Sequence, residues 1–238
     1  MTKRLIDISV AALGLAVASP VVLAAMLLIW SHDGHSPVYW APRVGRGGRD
    51  FRMAKLRTMT VGADRKGGSS TSRSDVRITA PGRILRRWKI DELPQLWNVL
   101  WGEMSLVGPR PNVRLGGVEL YTAQELRLLD ARPGVTDLAS IVFSDEADIL
   151  DGAADPDALY DRIIRPWKSR LGLLYLEHRS SWADLRILAL TAVAIVARPA
   201  ALRGVDRILA GWGAGPDLRG VCRRQGPPPL AAPPGIPA

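Results

Sequence analysis

Asp91-Glu92-Leu93-Pro94-Gln95-Leu96-Trp97-Asn98-Val99-Leu100 sets two adjacent carboxylates at the start of a short helical pattern. Leu93, Leu96, Trp97 and Leu100 recur at helical spacing. Pro94 fits a helix only in its first turn, where no backbone donor is needed. Asp91 then falls at or just before the N-terminus, where the helix dipole favours an anion. Read alone, such an Asp is an N-cap. Its company argues for more: Gly108-Pro109-Arg110-Pro111 follows shortly, and a basic segment from Arg43 to Arg57 precedes.

The 238 residues allow one core of ordinary size with an appendage. The net charge of +9 is unevenly spread. Residues 119–161 hold 11 acidic and 2 basic side chains, so the remainder carries twice the overall surplus. Such a surplus suits nucleic acid, an anionic membrane face or phosphorylated substrates. The aromatic interleaving of a single-strand binder is not evident, nor is any zinc-finger or RNA-recognition signature, so nucleic acid is not expected as a partner. The one cysteine, Cys222, excludes both a disulfide framework and a thiolate metal site.

Ile8 to Trp30 is a run of 23 uncharged positions, long enough to cross a hydrocarbon core of about 30 Å. Lys3 and Arg4 precede it, and Trp30 ends it like an interfacial anchor. Three readings compete. A cleaved signal peptide has its basic start and a cleavage-like Val22-Leu23-Ala24, but the apolar run continues past that point. A plain transmembrane anchor is the second, and a re-entrant helix that leaves on its side of entry is the third. Ser19-Pro20 sits mid-run, where proline frees the Ala16 carbonyl and the Ser19 hydroxyl is a local donor for it. Both flanks are basic, which favours both ends in the cytoplasm.

Pro37 to Trp40 and Phe51 to Met59 read as short strands joined by a Gly45-Arg46-Gly47-Gly48 turn. Residues 62–75 read as a mobile loop and Ile84 to Lys89 as a short basic helix. Residues 102–118 carry turn signals without periodicity. Further helices are expected near Ala123 to Ala131, over Asp157 to Glu177 with an interruption at Pro166, and over Trp182 to Val196, ended by Arg198-Pro199. The last suits an amphipathic helix on the membrane or in the core. Beyond Gly204 the Pro, Gly and Arg composition reads as a disordered tail.

The chain resembles the bacterial sugar transferase family, small monotopic phosphoglycosyl transferases that begin the assembly of surface polysaccharides. The resemblance runs from about Lys3 to Arg198. Its elements occur in order: Lys3-Arg4-Leu5-Ile6-Asp7, Ser19-Pro20, Arg43-Val44-Gly45, Lys55-Leu56-Arg57-Thr58-Met59, Asp75 to Thr79, Gly82 to Arg86, Asp91 to Leu100, Gly102 to Pro111 and Arg132-Pro133-Gly134-Val135-Thr136. One departure follows Gly134. Many members continue with a Gly-Trp-Ala-Gln-like run, whereas here Val135-Thr136-Asp137-Leu138 leads into the acidic segment, which leaves the sugar donor open.

The resemblance implies an α+β, mainly helical monotopic membrane protein. Residues 1–32 would form a re-entrant helix broken at Ser19-Pro20, residues 33–203 a compact cytoplasmic catalytic domain with short strands, and residues 204–238 the disordered tail. It implies transfer of a sugar 1-phosphate from a nucleotide diphosphate sugar, with UDP as the expected nucleotide, to polyprenol phosphate, with Mg2+, at the cytoplasmic face of a bacterial inner membrane. Membrane lipid is a partner, and a homo-oligomer is allowed. Asp91 would be the nucleophile, Glu92 would assist in metal binding or positioning, and both are the implied metal ligands. Arg110 and Arg132 would hold phosphate. Lys55, Arg57 and Arg86 are the further candidates for phosphate or substrate.

The chemistry of these residue types agrees. Phosphoryl transfer between anions needs charge neutralisation and positioning, which carboxylate-held cations and arginine forks supply. A carboxylate can itself attack phosphorus and split one hard step into two. The bland alternatives are a connector at Gly108 to Pro111, a turn at Arg132 to Gly134 and solvated strand residues at Lys55 and Arg57. Two other functions remain open: a membrane-anchored Mg2+-dependent phosphohydrolase using Asp91, and a basic lipid- or nucleic-acid-binding adaptor. His32, His35 and His178 lack ligand spacing, and Asp75 reads equally as a loop residue.

Overall fold

The computed structural model describes residues 2–65, 67–68 and 70–236. The apolar run forms one helix, α1 (Thr2–Asp33), which passes through Pro20 without interruption. The expected break at Ser19-Pro20 does not divide it. The reason is local: Ser19 Oγ donates to the Ala16 carbonyl at 2.8 Å, supplying the partner that proline cannot. Leu13, Val17, Leu23 and Leu27 stand exposed along its outer side.

Both ends of α1 are fastened to the rest of the molecule. At the N-terminal end Lys3 pairs with Asp184 and reaches the Val107 carbonyl. Arg4 donates to the carbonyls of Val99 and Leu100 at 2.6 and 2.9 Å. The buried Asp7 carboxylate accepts from Ser105 Oγ and the Leu106 amide. At the C-terminal end Ala25 and Ile29 pack with Leu56 and Leu85, and Arg57 forks onto both oxygens of Asp33 at 2.6 Å.

The hairpin forms as expected, with β1 (Val38–Val44) antiparallel to β2 (Asp50–Leu56). Next come α2 (Ala80–Arg87), a 3-10 turn over Ile90–Glu92 and α3 (Gln95–Trp101). A second, parallel pair joins β3 (Ser105–Val107) to β4 (Gly134–Thr136). The sequence reading missed it, because three-residue buried strands carry no alternation. The pair lies so close that a Cβ on Gly134 would strike the backbone of Gly108. The helix expected near Ala123 is a 3-10 segment over Glu125–Asp130. Loop residues 62–75, of which Lys66 and Ser69 fall outside the described set, are tied down where described. The Ser70 amide bonds Asp157, and Ser74 bonds Asp151.

Helices α4 (Leu138–Val142), α5 (Glu146–Ile149), α6 (Pro156–Ile163), α7 (Arg165–His178), α8 (Ser181–Gly211) and α9 (Pro216–Arg223) complete the chain. Pro166 starts α7 rather than breaking it. Arg198-Pro199 does not end α8 but bends it at Ala197, where φ is −143° and ψ is 60°. By length and composition, α1 and α8 are both able to cross a membrane. Before the bend Trp182, Leu185, Ile195 and Val196 are exposed, and after it Ala201, Leu202, Val205, Ile208 and Leu209 enter the main core.

The disordered tail expected over 204–238 is therefore not found among the described residues. Its composition hid an apolar face at helical spacing that continues α8, with Val221 and Cys222 of α9 buried beside it. The Pro-rich segment beyond is held by its carbonyls. Trp167 Nε1 donates to Pro229 O, Arg170 to Ala232 O and Thr122 Oγ1 to Pro234 O at 2.5 Å. A Leu209→Ala substitution should consequently cost about 2–5 kcal/mol. Thermal unfolding in detergent should show a Tm drop on the order of 5–15 °C, where a dispensable tail would show none.

Candidate active site

Lys89 adopts the left-handed conformation, with φ of 56°, and turns the chain into the 3-10 turn that carries Asp91 and Glu92. Pro94 continues it in helical geometry, so the turn and α3 form one element. The expected N-cap role of Asp91 fails here. The Glu92 and Leu93 amides bond back to Lys89 O and Ile90 O, which also removes them as donors to a bound phosphate. The Asp91 carboxylate instead points into the protein and is 2 % exposed.

Three elements bring cations to the two carboxylates. Lys55, on β2, places Nζ 2.9 Å from Asp91 Oδ2 and 3.8 Å from Glu92 Oε1. Arg110, just beyond β3, forks onto both oxygens of Glu92 at 2.6 and 3.2 Å. Arg86, on α2, commits Nε to Thr58 Oγ1 at 2.9 Å, which aims the rest of its fork. Asp91 Oδ1 is buried without a hydrogen-bond partner.

The electrostatics follow from this packing. Burial opposes charge on Glu92, but Arg110 and Lys55 outweigh it and hold its carboxyl well below the usual range. Glu92 in turn holds the Arg110 guanidinium protonated against burial. Burial lowers Arg86, and the charges of Asp91, Asp75 and Glu92 oppose that pull. Burial and the nearby charge of Arg110 both lower Arg43. The site thus holds more positive than negative charge around a carboxylate with a free lone pair, an arrangement that attracts an anion and offers it a nucleophile.

Lys55, Arg86, Arg110, Asp91 and Glu92 are brought together, whereas Arg57 and Arg132 make their contacts elsewhere. Arg57 lies two residues beyond Lys55, but β2 ends at Leu56 and Arg57 turns to Asp33. Arg132 is exposed and donates from Nε to the Gly102 carbonyl at 2.8 Å, at the far end of α3 from Asp91. Asp75 forks with Arg77 and organises the loop. Gln95 was missed as a site residue. It is fully buried, with both side-chain polar atoms unpartnered, one helical turn from Asp91. The signal was its i+4 spacing from the acidic residue.

Among the described residues no cluster of three or more His, Cys, Asp or Glu is placed to hold a metal. The oxygens present still fit a hard cation that takes most of its ligands from phosphate and water. Asp91 Oδ1 is buried and unpartnered, while both Glu92 oxygens are engaged by Arg110. An ion would therefore have to displace Arg110 to use Glu92.

The family description "Bacterial sugar transferase" matches residues 1–198. The chain belongs to the bacterial sugar transferase family. Among curated relatives of this transferase, a UDP-glucose:undecaprenyl-phosphate glucose-1-phosphate transferase of Caulobacter vibrioides is 35% identical over 199 residues, covering 82% of this chain and 70% of the relative. An undecaprenyl-phosphate glucose phosphotransferase of Komagataeibacter xylinus is 38% identical, covering 80% of this chain and 35% of the relative. A UDP-N-acetylgalactosamine-undecaprenyl-phosphate N-acetylgalactosaminephosphotransferase of Aeromonas hydrophila is 33% identical, covering 78% and 41%. The chain thus spans less than half of two of these three proteins.

The buried Glu92–Arg110 pair yields a stability prediction. Glu92 has a folded-state pKa below its unfolded value of 4.5, so its contribution is fully present above that value and is lost as pH falls through the depressed one. The Tm difference between the parent and Glu92→Gln should hold steady from about pH 7 to pH 5 and shrink only in stronger acid. Arg110→Ala, which strands Glu92, should lower stability at neutral pH by about 1–3 kcal/mol, read by thermal unfolding.

Proposed function

We propose that this transferase moves a sugar 1-phosphate from a UDP-sugar to undecaprenyl phosphate, releasing UMP, through a covalent intermediate on Asp91. The reaction would begin polysaccharide or glycoconjugate assembly at the cytoplasmic face of a bacterial inner membrane. The observation that carries the reading is the buried Asp91, paired through Oδ2 to Lys55 and unpartnered at Oδ1.

Asp91 Oδ1 attacks the sugar-bearing phosphorus. The bond from that phosphorus to the bridging oxygen breaks, and its electron pair leaves on UMP. A phosphate oxygen of undecaprenyl phosphate then attacks the same phosphorus, and the Asp91 carboxylate leaves with the pair. No proton is gained or lost in either step. Lys55 on Oδ2 orients the carboxylate for attack and stabilises the charge that returns to it on departure. Arg110 keeps three N–H donors beyond the two used on Glu92, and Arg86 keeps its terminal donors; both forks suit phosphate oxygens. Glu92 acts by holding Arg110 in place. Mg2+ would be held by phosphate oxygens and water beside the Asp91 carboxylate, and would neutralise the diphosphate and polarise its oxygens.

The fastening of α1 bears on topology. Both its ends grip one folded body, which supports a monotopic helix that enters and leaves on one side rather than a straight span. Single cysteines at Thr2 and Ser36, in a Cys222→Ala background, should both be shielded from an impermeant periplasmic thiol reagent. Labelling of one alone would establish a straight span.

The mechanism is tested with purified protein, Mg2+ and a panel of UDP-sugars, without lipid. The correct donor should release about one equivalent of UMP, and intact mass should rise by one sugar phosphate. Undecaprenyl phosphate should discharge it, and Asp91→Asn should abolish both events. Arg110→Lys keeps charge but loses the fork, and should cost at least about tenfold in rate with the fold intact. UMP release that awaits acceptor indicates direct transfer, and acceptor-independent turnover to free sugar phosphate indicates a hydrolase.

A further inference from the structure

Three buried polar atoms at the start of α3 lack a hydrogen-bond partner among the described residues: Asp91 Oδ1, Gln95 Nε2 and Gln95 Oε1. Gln95 is 0 % exposed. Buried polar groups are nearly always satisfied, and leaving an amide stripped of water and unpaired is costly. The atoms share one side of one element. Asp91, Gln95 and Asn98 follow at i, i+4 and i+7. That side faces β2 at both limits, since Asp91 meets Lys55, while Asn98 accepts from the Ala54 amide and donates to the Arg52 carbonyl. Gln95 lies between them along the helix. Asn98 is saturated, with a further bond to Glu103 at 2.7 Å, so it does not supply Gln95 with a partner.

We infer that Gln95 is a positioning residue for Asp91: the two side chains are not bonded to each other here, and a rotamer change in the working enzyme brings the Gln95 amide N–H2 onto Asp91 Oδ1 and holds the carboxylate during phosphoryl transfer. The pairing is chemically complementary, an unused donor one helical turn from an unused acceptor. It divides the carboxylate between two anchors, with Lys55 on Oδ2 from the strand and Gln95 on Oδ1 from the helix. A carboxylate gripped at one oxygen alone can rotate about its side-chain bonds. Gripped at both, it presents one lone pair in a fixed direction, which in-line displacement at phosphorus requires. The inference rests on the proposed nucleophilic role of Asp91.

The test uses the full chain in detergent with Gln95→Leu and Gln95→Glu, each measured for Tm and for UMP release. UDP-glucose and UDP-N-acetylgalactosamine serve as donors, followed by whichever UDP-sugar of the panel the parent turns over. Gln95→Leu removes two unpaired polar atoms at similar volume, so its Tm should equal or exceed the parent's. Its kcat should fall about 10- to 100-fold with KM for the UDP-sugar within about threefold, because binding is left to the arginines and lysine. Gln95→Glu, which loses the donor and adds a like charge beside Asp91, should lose at least as much. A drop of several degrees in the Tm of Gln95→Leu would identify an ordinary core residue and overturn the inference. So would parental activity in Gln95→Glu, which would mark the side-chain oxygen as the working atom. A parent that releases UMP only with acceptor present defeats the covalent mechanism instead, and the kcat of Gln95→Leu in the full reaction still decides the role of Gln95.

Discussion

Two neighbouring carboxylates can enter a protein interior only if cations enter with them. Much of the architecture around Asp91 and Glu92 answers that demand. The hairpin exists where it does to bring Lys55 inward, α2 brings Arg86, and the close β3–β4 pair launches Arg110 across to Glu92. The result is asymmetric. Glu92 is saturated and serves as a counter-charge, whereas Asp91 keeps one oxygen free. An electrostatic requirement of burial thus sorts two chemically similar side chains into one bonded at both oxygens and one that keeps an oxygen unpartnered.

Legibility in the sequence followed the physics of each element. The apolar run, the hairpin and the helical pattern after Asp91 were readable because they carry periodicity or turn chemistry of their own. The β3–β4 pair carries neither, and only a second chain segment distant in sequence makes either strand a strand. The C-terminal region was misread for a different reason. Its glycines, prolines and arginines satisfy a compositional rule for disorder, yet Val205, Ile208 and Leu209 keep the spacing of a buried face. Composition averages over that spacing and loses it.

The site was legible in its acids and only partly in its bases. Arginines beside prolines look alike in sequence, but Arg110 reaches Glu92 while Arg132 ties off the end of α3. Arg57 shares a short stretch with Lys55 and faces another task because the strand stops between them. Gln95 escaped notice because its i+4 spacing from Asp91 is a weak signal for an uncharged amide until its burial and its missing partners are known.

The double fastening of α1 has a bearing on how this protein meets its bilayer. A simple anchor can lengthen or shorten in evolution to suit lipid thickness. Here Asp7 and Asp33 are clasped by fixed points on one body, 26 positions apart, or about 39 Å of helix. A single inserted residue would swing the far clasp by about 100° and unseat it. The dimensions of the domain, not those of the lipid, therefore set the helix length, and any membrane that hosts the protein must adjust to a gauge cut in protein.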